Sequence, residues 1–152
     1  MARRRGIFEA ISAPEAIQIM ERLLPDQIEQ VRNALRARGI LYARLFGSAA
    51  RGAMSFDSDV DLAVSAVAPL TSQQKRELIE DVSAIVLRPV DVVDFRTAHG
   101  AVFDEALDGY ELFCDSEEAK AEVQYRRVTV IQDDLEFARQ AFDSAKHRMF
   151  VP

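Results

Sequence analysis

The sequence predicts an α/β (α+β) domain closed by one long C-terminal helix. Three observations predict it. Short apolar runs recur at 41–46, 59–65, 90–95 and 110–114, with the length of strands. Segments with helical caps and spacing alternate with them. The last third, from Ser116 to about Met149, contains neither proline nor glycine. At 152 residues the chain is one domain, large enough for a real core.

Ser12-Ala13-Pro14-Glu15 reads as a capping box with proline in the first turn. It predicts a helix to about Leu23, broken near Pro25. A second helix runs from Pro25 to Arg38, with Ile28, Val31 and Leu35 on one face and Gly39 as its stop. The strand at 41–46 places Leu41, Ala43 and Leu45 on one face and ends at Gly47-Ser48. In the strand at 59–65, Val60, Leu62 and Val64 alternate with Asp59, Asp61 and Ala63. A helix over 72–87 leads through Pro89 to a strand at 90–95, whose β-branched residues suit a buried position. A helix from about Thr97 to Asp108 ends at Gly109, and Tyr110 to Cys114 forms the last strand.

In the C-terminal helix, Ala121, Val128, Leu135, Phe142 and Met149 recur every seven residues. Ile131, Ala138 and Ala145 form a second set three residues on. Unbroken, the helix is about 50 Å long with a narrow apolar seam. A small domain is about 30 Å wide. Part of the seam is therefore expected to overhang and to be covered by a second copy, as a homo-oligomer, or by another protein. Packing of the helix across its own domain is the alternative.

Composition bounds the function. Hydrophobic residues make up 49% and charged residues 29%, ordinary values for a globular protein in water. No apolar stretch approaches a membrane span. Met1-Ala2-Arg3-Arg4-Arg5-Gly6 precedes no apolar segment, so no secretory signal is expected, and the arginines read as a solvated tail. Cys114 is the single cysteine, which excludes an internal disulfide and suits a cytoplasmic location. It reads as a small buried apolar residue. His99 and His147 lack ligand spacing. The net charge of −6 argues against tracking extended nucleic acid, which needs a basic groove.

The chemistry lies in one segment. Gly47-Ser48 is followed, after ten residues, by Asp59-Val60-Asp61. Residues i and i+2 of a strand share a face, so Asp59 and Asp61 project together, roughly 7 Å apart at Cα. Carboxylates held that close repel unless a cation sits between them. Mg²⁺ fits, with oxygen ligands from both protein and phosphate. Gly47 lets the backbone approach a ligand and take positive φ. Ser48 stands where it would cap a short helix whose free N–H groups face an anion. Arg51, one turn in, adds charge for a phosphate. In Val90-Asp91-Val92-Val93-Asp94, the two acids are three apart and point to opposite faces, so only one can join Asp59 and Asp61.

Phe46-Gly47-Ser48-Ala49-Ala50-Arg51-Gly52 with Ser58-Asp59-Val60-Asp61-Leu62-Ala63-Val64 resembles the motif of the DNA polymerase beta-like nucleotidyltransferase superfamily. Its form is most similar to the minimal nucleotidyltransferase (MNT) branch. The likeness is tight over 41–64 and loose over 90–113. It implies a small mixed sheet flanked by helices, with Asp91 as the third carboxylate and Asp94 as a strand-end residue that binds backbone or a loop. Asp59, Asp61 and Asp91 would bind two Mg²⁺ ions and carry catalysis, while Gly47, Ser48 and Arg51 would bind the nucleotide. ATP is the substrate the family suggests. MNT proteins of this kind resemble the antitoxin of a HEPN/MNT toxin–antitoxin pair, which implies AMP transfer to a tyrosine of a HEPN ribonuclease toxin. Two other readings stay open. One is a small-molecule enzyme of the aminoglycoside nucleotidyltransferase type, for which this chain has little room. The other is a non-catalytic antitoxin that neutralises its partner by binding.

Overall fold

The computed structural model describes residues 23–52, 54 and 58–150. The helix expected over 12–23 lies outside the described residues except at its end. The first described helix, α1, spans Pro25–Ala37, with proline in its first turn and Val31 and Leu35 buried. Strand β1 (Tyr42–Phe46) runs directly into the short helix α2 (Gly47–Arg51). Then come β2 (Val60–Ser65), α3 (Ser72–Val86), β3 (Val90–Asp94), α4 (Gly100–Leu107), β4 (Tyr110–Cys114) and α5 (Glu117–Phe150). Helix α3 carries a full capping box: Thr71 Oγ1 accepts from Gln74 N–H at 3.1 Å, and Gln74 Oε1 accepts from Thr71 N–H at 2.8 Å.

The four strands form one mixed sheet in the order β3-β2-β1-β4. β1 is antiparallel to both β2 and β4, and β2 is parallel to β3. Strand alternation divides the core into two layers. Ala43, Leu45, Val60, Leu62, Val64, Val90 and Val92 pack with Val31 and Leu35 of α1 and Leu78, Val82 and Val86 of α3. The opposite layer holds Tyr42, Phe46 and Ala63 with Phe95, Phe103 and Ala106, and with Ala119 and Val123 of α5. In this layer Phe95 stacks on Tyr42 at 5.6 Å and meets Phe103 edge-on at 6.0 Å, both favourable aromatic geometries. Leu41, expected on the face of Ala43 and Leu45, lies ahead of β1 and packs with this second layer.

At one edge of the sheet, Arg32 Nε of α1 donates to the Leu112 carbonyl of β4 at 2.7 Å. This occupies an acceptor that an exposed edge strand would offer to other chains. Helix α4 begins at Gly100, three residues later than its composition predicts. The carbonyl of Asp94 captures the N–H groups of Thr97 (3.1 Å) and Ala98 (2.8 Å), so the chain turns first, and Gly100 takes φ +69. No helix of the described residues is long and apolar enough to cross a membrane.

Candidate active site

Parallel register puts Asp61 of β2 opposite Asp91 of β3. Antiparallel register puts Asp61 opposite Phe46, the last residue of β1. Both acids point to the layer of Ala63, Phe46 and α4, because their neighbours Val60, Leu62, Val90 and Val92 fill the other. Asp59 precedes β2 by one residue and is exposed, as is Asp91; Asp61 is half-buried.

The chain turns at Gly47, directly after Phe46. Gly47 is buried and has φ +68, in the region that favours glycine. A Cβ at this position would collide with Asp61 Oδ2 and lie 3.4 Å from its Cγ. The start of α2 is thus pressed against the Asp61 carboxylate, with nothing between them. Glycine is demanded here twice, by the backbone angle and by the side chain that fills the space.

Ser48 is not the cap that its position suggests. The N-cap residue of α2 is Phe46, no side chain caps the helix, and Ser48 sits within the first turn, half-buried. The strand runs into the helix without an intervening loop, which moves the cap two residues upstream. Arg51 ends α2 on the surface, with Nη1 3.9 Å from Glu105 Oε1 of α4.

Asp94 is set apart from these acids. It is 1% exposed and lies on the layer of Val90 and Val92, away from Asp91. Its Oδ2 accepts from Leu70 N–H at 2.8 Å and its Oδ1 from Arg96 N–H at 2.9 Å. Two backbone donors satisfy a buried carboxylate that would otherwise be costly. The structure therefore brings Asp91, not Asp94, to Asp61.

Burial holds the Asp61 carboxyl above its ordinary pKa, and the negative charges of Asp91, Asp59 and Glu105 add to the shift; Arg51 opposes it. Glu105 is the member that sequence reasoning missed. Its surroundings resemble those of Asp104 and Asp108 on the same segment. Only the burial of Phe103 and Ala106, which fixes how α4 is rotated, brings it near the site.

Such an excess of carboxylates fits a hard divalent cation. The Arg51 guanidinium, which opposes the shift of Asp61, already faces Glu105. Among the described residues, no three His, Cys, Asp or Glu side chains close into a cage for an ion by themselves. Asp61 and Asp91, opposite each other on β2 and β3, are oxygen donors of the kind Mg²⁺ takes from protein, its remaining ligands coming from water and substrate phosphates. A cavity of about 350 Å³ borders Arg51 and Gly52 on the side of Leu23, Ile28, Leu45 and Tyr110. None of the three acids lines it.

The raised Asp61 carboxyl makes a prediction about stability. An acid whose folded pKa lies above its unfolded value opposes folding at pH above both and is neutral below both. Asp61→Asn is therefore expected to raise the urea midpoint at pH 7.5. The gain should vanish as the pH falls below the usual aspartate range. Equal gains at both ends of a pH series would show that Asp61 is not electrostatically strained.

The polymerase beta nucleotidyltransferase family model matches residues 29–118. The fold is similar to that of a chain in the crystal structure of a toxin–antitoxin with AMP-PNP, with a TM-score of 0.64 and 22% identity over 79% of this chain and 98% of that one. It is also similar to a chain of the tri-AMPylated Shewanella oneidensis HEPN toxin in complex with MNT antitoxin, with a TM-score of 0.59 and 20% identity over 80% and 96%. A putative minimal nucleotidyltransferase aligns with a TM-score of 0.50 and 27% identity over 56% and 87%. No curated protein matches the chain. The matched segment contains α2, the three acids, Glu105 and all four strands. By that match, on the fold and register described above, the chain belongs to the polymerase beta nucleotidyltransferase family and is a nucleotidyltransferase.

Proposed function

We propose that the protein transfers AMP from ATP to a hydroxyl of a partner protein, a tyrosine of a HEPN toxin, and so acts as an antitoxin. The observation that carries this reading is the register of Asp61 and Asp91 beneath the glycine that opens α2. The likeness to chains from HEPN–MNT complexes, one with a tri-AMPylated toxin, supports the choice of acceptor.

Asp59, Asp61 and Asp91 would hold Mg²⁺, which when bound neutralises phosphate charge and lowers the pKa of an attacking hydroxyl. Gly47 lets the start of α2 lie directly against the Asp61 carboxylate, so that phosphates bound by the N–H groups of Ser48 and Ala49 would sit beside that acid. Arg51 supplies positive charge at the far end of that turn. The acceptor oxygen attacks the α-phosphorus in line. The α–β phosphoanhydride bond breaks, pyrophosphate leaves, and the hydroxyl proton passes to a site carboxylate or to water. Catalysis is then positioning and charge neutralisation, as in other phosphoryl transfers.

The test has two parts. Calorimetry should show ATP binding that requires Mg²⁺. Incubation with ATP, Mg²⁺ and a co-expressed HEPN protein should add the mass of AMP to a tyrosine of that protein. ATP binding without any mass shift would remove the proposed acceptor and keep the nucleotide site. Absence of ATP binding would favour an antitoxin that acts by occupancy alone.

A further inference from the structure

Helix α5 carries two apolar stripes, and the domain uses one. Ala119 (4% exposed) and Val123 (2%) face the sheet, and Arg126 donates from Nη1 to the carbonyls of Phe95 and Ala98. Val128, Leu135 and Phe142 are 52%, 65% and 68% exposed. At about 100° per residue, Val128 lies about 140° round the helix from Val123. The spacing of seven keeps Val128, Leu135 and Phe142 on one face. The heptad seam is thus turned away from the domain that holds the start of the helix. With 34 residues, α5 is about 51 Å long, and its last 20 residues would extend about 30 Å past Arg126 and its neighbours.

A repeat of seven, rather than 3.6, keeps a seam in contact with another helix over several turns. Charge decides which helix. The positions that flank this seam hold Arg127, Arg139, Lys146 and Arg148, and one acid, Asp134. Asp133, Glu136 and Asp143 lie elsewhere on the helix. Among the described residues, none of those four cations is ion-paired. A basic border on a chain of net charge −6 is a local feature, not a reflection of composition. In two copies most of this border would meet no acid, because the flanking positions of the second helix hold the same four cations and a single acid. Like charges at such positions disfavour pairing, and opposite charges select a partner.

We infer that the exposed seam of α5 docks an apolar helix of a partner protein flanked by Asp and Glu, and not a second copy of this chain. The inference rests on the proposed function only in that such a partner exists; the surface itself is independent of nucleotide chemistry.

Fluorescence anisotropy with the full chain tests it. The probes are two labelled helical peptides of about three heptads, with leucine at the seam positions and either glutamate or lysine at the flanking ones. The glutamate peptide should bind, more weakly at higher salt, and Leu135→Asp with Phe142→Asp should weaken it at least about tenfold. Arg139→Glu with Lys146→Glu should reverse the preference toward the lysine peptide. All four residues are exposed, and circular dichroism checks that the variants keep their helix. Equal binding of both peptides, binding of neither, or a wild-type dimer in sedimentation that Leu135→Asp disperses would each overturn the inference. ATP binding measured on the same samples separates the two ideas. Glutamate-peptide binding without ATP binding defeats the transferase proposal alone, and ATP binding without peptide binding defeats this one alone.

Discussion

Asp59→Ala combined with Asp61→Ala is expected to lower nucleotidyl transfer by at least about a thousandfold, the scale of losing metal-assisted charge neutralisation. Folding should survive. Asp59 is exposed, Asp61 is half-buried, and burial and like charge hold the Asp61 carboxyl above its ordinary pKa, so removing both relieves repulsion. The double variant should therefore bind ATP without dependence on Mg²⁺, or not at all, while unfolding at an equal or higher urea concentration. Asp91→Asn should share the kinetic loss. Asp94→Asn is the control with the opposite signature. Its carboxylate is buried and accepts two backbone N–H groups, so replacing one acceptor oxygen by an amide donor costs stability, about 1–3 kcal/mol, with turnover per folded molecule largely retained. Undiminished turnover in the Asp59/Asp61 variant would remove the site assignment, and so would an Asp94 variant that folds normally but is inactive.

The contrast between Asp91 and Asp94 was already present in the spacing. Strand parity put them on opposite faces, and the structure kept that parity through β3. Alternation in β2 likewise placed Asp61 against the direction of Val60, Leu62 and Val64. These features are local, with a period of two, and survive any packing of the strand. The features that were not legible depend on how elements meet. Ser48 lost its capping role because β1 enters α2 without a loop, which no residue type announces. The Thr97 start of α4 failed because a carbonyl from β3 captured two N–H groups, a competition between a strand end and a helix start. Glu105 entered the site only because Phe103 and Ala106 fix the rotation of α4. In α5 the heptad positions were visible, but the direction they face followed from which other residues, Ala119 and Val123, the sheet had claimed.

Gly47→Ala is expected to cost about 1–3 kcal/mol of stability, because a non-glycine residue is strained at φ +68 and its Cβ would strike the Asp61 carboxylate. Activity should fall further than stability, by about a hundredfold, since a displacement near 1 Å at a reacting centre carries that penalty. The Michaelis constant for ATP should rise with it, as the added methyl group displaces the Asp61 carboxylate and the start of α2 from each other. Removing the struck side chain separates the two effects. In Gly47→Ala with Asp61→Ala, the collision is gone and only the backbone strain remains. That double variant should recover part of the lost stability, giving an interaction energy between the two positions, yet remain inactive because the carboxylate is missing. Strict additivity of the two single-variant stability changes would mean that Gly47 and Asp61 do not touch in the folded protein. Full activity in Gly47→Ala would mean that the bend at the start of α2 is not where the nucleotide lies.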